Sequence, residues 1–314
     1  MLLDLTSKSI ALTGGFGYVG GRIARALIAN GAKVSISTRR SDDQIPAWAR
    51  GNQHVQWGSD LLELSINADT IIHLAAPNEI VASKAPQQSI DETVALTNAA
   101  LNTAKANSVR RFVYFSTVHV YGAPLIGRLN EKSPVNPAHP YAAAHYESER
   151  LVQLCRNSDM QTLILRLSNS FGAPADQGVD RWSLLVNNLC LKAASTRCMT
   201  LNTSGTQLRD FIPLTDVVDA TLHFMTANDN GWCNQIVNLT AGESMSVCQI
   251  AEMVYARAHE IIGPDVILKL PDNIQIEEID SLHIENDLLR QTGFSPALKF
   301  KQEVDMLLEF CRNL

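Results

Sequence analysis

Short apolar runs alternate with amphipathic segments through the first half of the chain, beginning near residue 8. Runs bounded by glycine or polar residues are typical of buried strands, and segments with apolar residues three and four positions apart are typical of helices. The predicted strands are residues 9–12, 33–37, 70–75, 111–116 and 162–167, and the predicted helices are residues 19–29, 92–107 and 141–156. This βαβ rhythm predicts a parallel sheet of about six or seven strands with helices on both faces.

The pattern changes after Gly172, where residues 173–178 have the composition of a loop. Later segments predict returns to the core and further small helices and strands: residues 211–225, 235–239, 245–257 and 277–314. We therefore expect an α/β fold, with a doubly wound parallel sheet of the Rossmann type over residues 1–170. Residues 171–314 are predicted to form a smaller C-terminal α/β substrate lobe, from which residues 211–240 return to the core sheet.

Composition and charge argue against several classes of partner. The 314 residues carry a net charge of -6 from interspersed acids and bases, so neither nucleic acid nor an anionic membrane is an expected partner. No apolar run approaches the ~18 residues that span a bilayer, and residues 1–6 lack a basic segment, so we expect a cytoplasmic protein. The cysteines form no Cys-x-x-Cys pair, which predicts reduced thiols and no metal site: Cys155, Cys190, Cys198, Cys233, Cys248 and Cys311.

A glycine-rich turn, Thr-Gly-Gly-Phe-Gly-Tyr-Val-Gly over residues 13–20, lies between the first predicted strand and the first predicted helix. Small residues here let the backbone turn tightly, let a pyrophosphate approach the N–H groups of the helix N-terminus, and let the helix pack on the strand. The turn predicts a dinucleotide site, the alternative being a turn that binds nothing. Its predicted cofactor-binding residues are Gly14, Phe16, Gly17, Tyr18, Val19 and Gly20.

The second predicted strand ends at Thr38, Arg39 and Arg40. An NAD-specific site places an acid near this point to hold the adenosine ribose hydroxyls, and no acid is there. A guanidinium suits a 2'-phosphate instead, because it makes charge-assisted hydrogen bonds, and the Thr38 hydroxyl can add another. These residues predict NADP, with NAD as the alternative cofactor and a solvated loop as the alternative role.

Further motifs follow in a characteristic order: Ser59-Asp60-Leu61, His73-Leu74-Ala75-Ala76, Ser116-Thr117 with Tyr121-Gly122, Pro140-Tyr141, Arg166-Leu167-Ser168-Asn169 and Arg209-Asp210-Phe211-Ile212. With the glycine turn, they make the chain resemble the extended short-chain dehydrogenase/reductase family of nucleotide-sugar epimerases, dehydratases and ketoreductases. The resemblance runs from about Lys8 to Leu308. It implies that Asp60 and Leu61 hold the adenine and that Leu74, Ala75 and Ala76 lie along the cofactor.

The resemblance also implies that Thr117 and Tyr141 form the catalytic hydroxyl pair. Tyrosine would pass a proton to or from the substrate oxygen while hydride moves to or from the nicotinamide. Where the family has a lysine, however, this chain has His145, on the same helix face as Tyr141 at i, i+4 spacing. Lysine holds the nicotinamide ribose and lowers the tyrosine pKa, whereas histidine is charged only in part near neutrality. We expect a retuned catalytic site, with a catalytically weak NADP-binding module as the alternative.

Three more residues bear on the substrate. Family dehydratases follow the catalytic threonine with an Asp-Glu pair, and Val118-His119 stands here, which disfavours dehydration. His119 would face the sugar as a general acid or base, or would merely hydrogen-bond in a loop. By resemblance, Arg209 and Asn169 hold the substrate diphosphate. For Arg209, the alternative is a structural salt bridge.

The leading functional prediction is therefore NADPH-dependent reduction of a keto-deoxy nucleotide-sugar, with Tyr141 as the proton donor. The first alternative is a nucleotide-sugar epimerase that retains NAD(P). The resemblance further implies a homodimer that pairs through the predicted helices at residues 92–107 and 141–156.

Overall fold

The computed structural model describes residues 3–156, 159–227, 232, 235–271 and 281–314. Its strands are β1 (Ser9–Thr13), β2 (Lys33–Ser37), β3 (Val55–Gly58), β4 (Thr70–His73), β5 (Arg111–Thr117), β6 (Gly127–Leu129), β7 (Gln161–Leu167), β8 (Asn169–Phe171), β9 (Cys198–Thr200), β10 (Leu208–Pro213), β11 (Gln235–Leu239), β12 (Ser244–Ser246), β13 (Ile267–Lys269) and β14 (Leu282–Ile284). Its α-helices are α1 (Tyr18–Ala29), α2 (Leu61–Leu64), α3 (Glu79–Lys84), α4 (Pro86–Ala106), α5 (Pro140–Cys155), α6 (Leu185–Thr196), α7 (Leu214–Thr226), α8 (Val247–Ile261), α9 (Asp287–Gln291) and α10 (Phe300–Arg312).

Among the described residues, seven parallel strands form the central sheet, in the order β11, β7, β5, β4, β1, β2, β3. Helices α1 and α7 contribute to the apolar core on one face, and α4 and α5 contribute to the core on the other face. The predicted doubly wound parallel sheet is confirmed. The strand order reverses between β1 and β4, so a crevice opens at their carboxyl ends, which is where such sheets bind ligands.

Two details of the sheet differ from the sequence prediction. Strand β3 was not predicted, because it is only four residues long and its side chains are half-buried or exposed at the sheet edge. The apolar run at residues 211–225 divides into the end of β10 and the helix α7, and Pro213 stands at the junction. Proline fixes the backbone for a helix start and lacks the N–H that a longer strand needs.

A second apolar cluster lies outside the central sheet and is formed largely by α6, α8 and α10. Beside it, β8, β10 and β12 form a small sheet, in which Asn169 begins β8 and Arg209 lies on β10. Of the segments interpreted from sequence, residues 228–231, 233–234 and 277–280, with Cys233, lie outside the described residues. Across the described ranges, no helix is long and apolar enough to cross a bilayer.

Candidate active site

A cleft of about 1590 Å³ opens at the carboxyl ends of the central strands. It is lined by all of the residues that the sequence analysis selected for cofactor, substrate and catalysis. These are Gly14, Phe16, Gly17, Tyr18, Val19, Gly20, Thr38, Arg39, Arg40, Asp60, Leu61, Leu74, Ala75, Ala76, Thr117, His119, Tyr141, His145, Asn169 and Arg209. The fold therefore brings segments more than a hundred residues apart into one continuous surface.

The glycine turn is shaped by close backbone contacts. Gly14 has a φ of +69°, and a Cβ there would lie 3.0 Å from the backbone nitrogen of Ala75. A Cβ on Gly20 would collide with the carbonyl oxygen of Gly14. Helix α1 begins at Tyr18, and its N-cap residue Gly17 provides no side-chain acceptor for the first N–H groups. The N–H groups at this helix N-terminus have no capping side chain, and glycine backbone leads into it, so an anionic pyrophosphate can bind there.

The two arginines after β2 have different environments. The Arg40 side chain donates to the carbonyl oxygen of Phe16 at 3.0 Å and lies over the Phe16 ring, so it braces the glycine turn. The Arg39 side chain is 90% exposed and pairs with Glu92 at 3.5 Å. Thr38 lies beside them, where its hydroxyl accepts the backbone N–H of Arg40. Arg39 is therefore the cation that an incoming phosphate can engage without disturbing the turn.

The segments that follow β3 and β4 line the cleft beside the glycine turn. Asp60 caps α2 by accepting the backbone N–H of Leu62 at 2.8 Å. The backbone N–H groups of Leu74 and Ala75 both donate to the Thr13 hydroxyl at 3.2 Å. The bonds from Leu74 and Ala75 hold their segment against the end of β1, beside the glycine turn, whereas the Asp60 bond is local to the start of α2.

Thr117 and Tyr141 meet at the middle of the cleft. Thr117 ends β5, Tyr141 lies in the first turn of α5, and the Thr117 side chain is close enough to lower the pKa of Tyr141. Burial raises the pKa of Tyr141 to about 12; the nearby Arg181 lowers it and Glu79 raises it, as smaller effects. At neutral pH the Tyr141 phenol therefore holds its proton.

His145 is 5% exposed and lies one helical turn after Tyr141, with the two ring centroids 4.5 Å apart. Its Nδ1 is 2.7 Å from the hydroxyl of Tyr114, and its Nε2 has no hydrogen-bond partner among the described residues. Burial lowers the pKa of His145 to about 4, and the neighbouring His119 lowers it further as a smaller effect. The imidazole is neutral at pH 7 and supplies no cation to Tyr141.

His119 stands next to the catalytic hydroxyls. Its backbone N–H donates to the Thr117 hydroxyl at 3.2 Å, and the Asn169 side chain is close enough to affect the pKa of its ring. Burial lowers the pKa of His119, and the charges of Arg209 and His139 lower it further. His119 is therefore a neutral imidazole in the cleft.

Arg209 and Asn169 lie on the small sheet and line the cleft. Arg209 donates to the side-chain oxygen of Gln207 at 2.9 Å, and burial lowers its pKa. The Asn169 amide donates to the carbonyl oxygen of Asp210 at 2.8 Å. Arg209 is thus a partly desolvated guanidinium whose described hydrogen-bond partner is a neutral amide, which suits it to an anion.

Sequence reasoning missed the buried groups beneath these residues. Glu149 on α5 accepts two hydrogen bonds from Arg166, at 2.9 and 2.7 Å, and one from Ser116 at 2.5 Å. Tyr114, on β5, bonds to His145. A polar side chain in an otherwise apolar strand is the sequence signal that could have revealed such a group, because a buried polar group needs a hydrogen-bond partner. The signal does not identify the partner.

The cleft fits a nicotinamide dinucleotide at both ends. A Cβ at Gly14 or Gly20 would crowd the backbone of the cleft, so glycine at these positions lets the turn present the uncapped N-terminus of α1, which a pyrophosphate can bind. At the Tyr141 end, the unpartnered Nε2 of His145 is a buried polar atom of the kind that a ligand hydroxyl satisfies.

Comparisons with known proteins agree with this reading of the cleft. The family model "NAD dependent epimerase/dehydratase family" matches residues 10–240. A putative UDP-glucose 4-epimerase from Methanocaldococcus jannaschii is 26% identical over 97% of this chain and 98% of its own. UDP-glucuronic acid decarboxylase 5 from Arabidopsis thaliana is 25% identical, over 97% of this chain and 89% of its own. The solved structure of TunA, an NAD dependent NDP-hexosamine 5,6-dehydratase involved in tunicamycin biosynthesis, is 26% identical, has a TM-score of 0.79 and matches 98% of each chain.

Proposed function

We propose that this chain, which belongs to the NAD dependent epimerase/dehydratase family, is an NADPH-dependent reductase of a keto-deoxy nucleotide-sugar. The proposal rests chiefly on one observation, which is that the ring of Tyr141 lies beside the buried ring of His145 and not beside a lysine. Reduction of a ketone needs a proton donor, whereas oxidation of an alcohol needs a base. A phenol with a pKa of about 12 favours the donor role at neutral pH.

The residues that line the cleft support the cofactor-binding roles in this proposal. The backbone of the glycine turn would hold the pyrophosphate, and Asp60 with Leu61 would hold the adenine. Arg39 supports NADP over NAD, because its exposed guanidinium can exchange Glu92 for a 2'-phosphate, with the Thr38 hydroxyl beside it. When bound, the reduced nicotinamide supplies a hydride.

The chain's own residues supply the proton and the orientation. Tyr141 transfers its hydroxyl proton to the oxygen of the substrate carbonyl, and solvent restores that proton after product release. Thr117 holds the same oxygen in place through its hydroxyl, while Arg209 and Asn169 bind the diphosphate. In this proposal His119 hydrogen-bonds to the sugar ring.

The remaining assignments concern organisation. We propose that residues 1–170 bind the cofactor and that residues 171–314 form the substrate lobe. We also propose a cytoplasmic homodimer that pairs through α4 and α5, which pack side by side on one face of the sheet.

The second candidate is a nucleotide-sugar epimerase that retains NAD(P). The full-length similarity to a putative UDP-glucose 4-epimerase favours it. Such an enzyme uses the same tyrosine as base and acid in turn, which a high pKa of Tyr141 hinders. The third candidate, a weak NADP-binding module, is motivated by His145 alone.

Incubation of the purified protein with NADPH and a panel of keto-deoxy nucleotide-sugars tests the proposal. We expect NADPH consumption with at least one of them, slower consumption with NADH, and loss of both in Tyr141→Phe. Tightly bound cofactor in the purified protein, with sugar conversion but no net NADPH consumption, supports the epimerase. Binding of NADPH with no conversion of any sugar supports the weak module.

A further inference from the structure

The hydrogen bond between Tyr114 and His145 joins two elements that pack together beneath the cleft. Tyr114 is on β5 and is 1% exposed, and His145 is on α5 and is 5% exposed. The hydroxyl oxygen and Nδ1 are 2.7 Å apart. This distance is typical of an O–H donor, because bonds from N–H donors are usually near 2.9–3.0 Å.

The chemistry of the two groups also determines the direction of the bond. Burial raises the pKa of the Tyr114 phenol, so the phenol keeps its proton. A phenol is a good donor and an imidazole nitrogen is a much better acceptor than a phenol oxygen. The proton of Tyr114 is therefore available to His145 Nδ1.

We propose that Tyr114 is a positioning residue that donates to His145 Nδ1 and thereby fixes the imidazole as the Nε2–H tautomer. A neutral imidazole carries one N–H, so the bond at one ring nitrogen decides the state of the other. The Nε2–H then donates to a ribose hydroxyl of the bound dinucleotide, replacing the hydrogen bond of a lysine but not its charge. The last step rests on the proposed function, whereas the tautomer does not.

The tautomer is measured in the unliganded protein. Long-range proton–nitrogen NMR spectra of the uniformly ¹⁵N-labelled chain at pH 7 distinguish a protonated from an unprotonated ring nitrogen, and the His145→Gln spectrum identifies the signals of His145. We expect a protonated Nε2 and an unprotonated Nδ1. A protonated Nδ1, an imidazolium or an even mixture of tautomers overturns the proposal.

A matched pair of variants tests the positioning role. Tyr114→Phe removes the hydroxyl and keeps the ring, and we expect His145 to show mixed tautomers and the Kd for NADPH to rise about 5- to 10-fold, the usual effect of one hydrogen bond. Tyr121→Phe is the control, since its hydroxyl is also buried but bonds to Asn238 and does not line the cleft. In this control we expect an unchanged tautomer and Kd.

The outcomes separate the two proposals. An unchanged tautomer and affinity in Tyr114→Phe overturn the role of Tyr114. If the unmodified protein binds neither NADPH nor NADH, the proposed function fails, while the tautomer of His145 still decides whether Tyr114 positions the ring. Should Tyr114→Phe not fold, the NMR spectrum of the unmodified chain remains decisive.

Discussion

Replacing His145 with lysine puts a cation beside the catalytic tyrosine. The two rings are 4.5 Å apart, and the Tyr114 hydroxyl can accept a hydrogen bond from the new ammonium group. At an effective dielectric constant of about 20, a unit charge 4.5–7 Å from the phenolate stabilises it by about 2–4 kcal/mol. This corresponds to a decrease of about 2–3 units in the pKa of Tyr141.

The assay is the pH dependence of the reverse reaction, oxidation of the sugar alcohol with NADP⁺. The phenolate of Tyr141 is the base in that direction, so the rate rises with pH up to the pKa of the phenol. With a pKa raised to about 12, the rate of the unmodified protein should still increase at the highest usable pH. In His145→Lys, the same rise should occur about 2–3 units lower.

His145→Gln is the control for this experiment, because glutamine can donate a hydrogen bond without carrying charge. We expect its pH profile to follow that of the unmodified protein. The electrostatic reasoning is refuted if the lysine variant shows no shift, or if the glutamine variant shifts by the same amount.

Three other variants test separate parts of the site. Tyr141→Phe should lower kcat by about 100-fold or more while NADPH binding, measured by fluorescence titration, is retained, because only proton transfer is lost; full turnover would exclude Tyr141 as the donor. Arg39→Ala should raise KM for NADPH by about 10-fold or more and leave KM for NADH nearly unchanged, since a charge-assisted hydrogen bond to the 2'-phosphate disappears; equal changes for the two cofactors would contradict the assignment. Glu149→Gln should lower the free energy of unfolding by about 3–5 kcal/mol in urea denaturation, because the buried Arg166 loses its counter-ion. Its control, Glu147→Gln on the same helix, breaks an exposed pair with Arg150 and should cost less than about 1 kcal/mol, so equal losses would refute the prediction.

Features encoded within a short stretch were predictable from the sequence. The spacing of Gly14, Gly17 and Gly20 predicts the turn, because glycines at this spacing let the backbone turn tightly and let the helix pack on the strand. Strand and helix alternation likewise predicts the central sheet, because parallel strands need crossover helices. The edge strand β3 was missed because a half-buried strand has no apolar run to mark it.

Contacts between distant elements were not predictable in the same way. Arg39 and Arg40 are neighbours in sequence, and only the position of the Phe16 carbonyl assigns Arg40 to bracing the turn. The replacement of lysine by His145 is visible in the sequence, but its neutrality depends on burial between elements. The partner Tyr114 is 31 residues away and belongs to a different element.

On our proposal, NADPH delivers a hydride and Tyr141 a proton to a keto sugar, and the hydride remains in the product as a C–H bond. Reaction with NADPH carrying deuterium at both C4 positions tests this claim most directly, with mass spectrometry of the nucleotide-sugar as the readout. We expect one deuterium in each product molecule and equal amounts of NADP⁺ and product. Sugar conversion that yields unlabelled product without NADPH oxidation would contradict it.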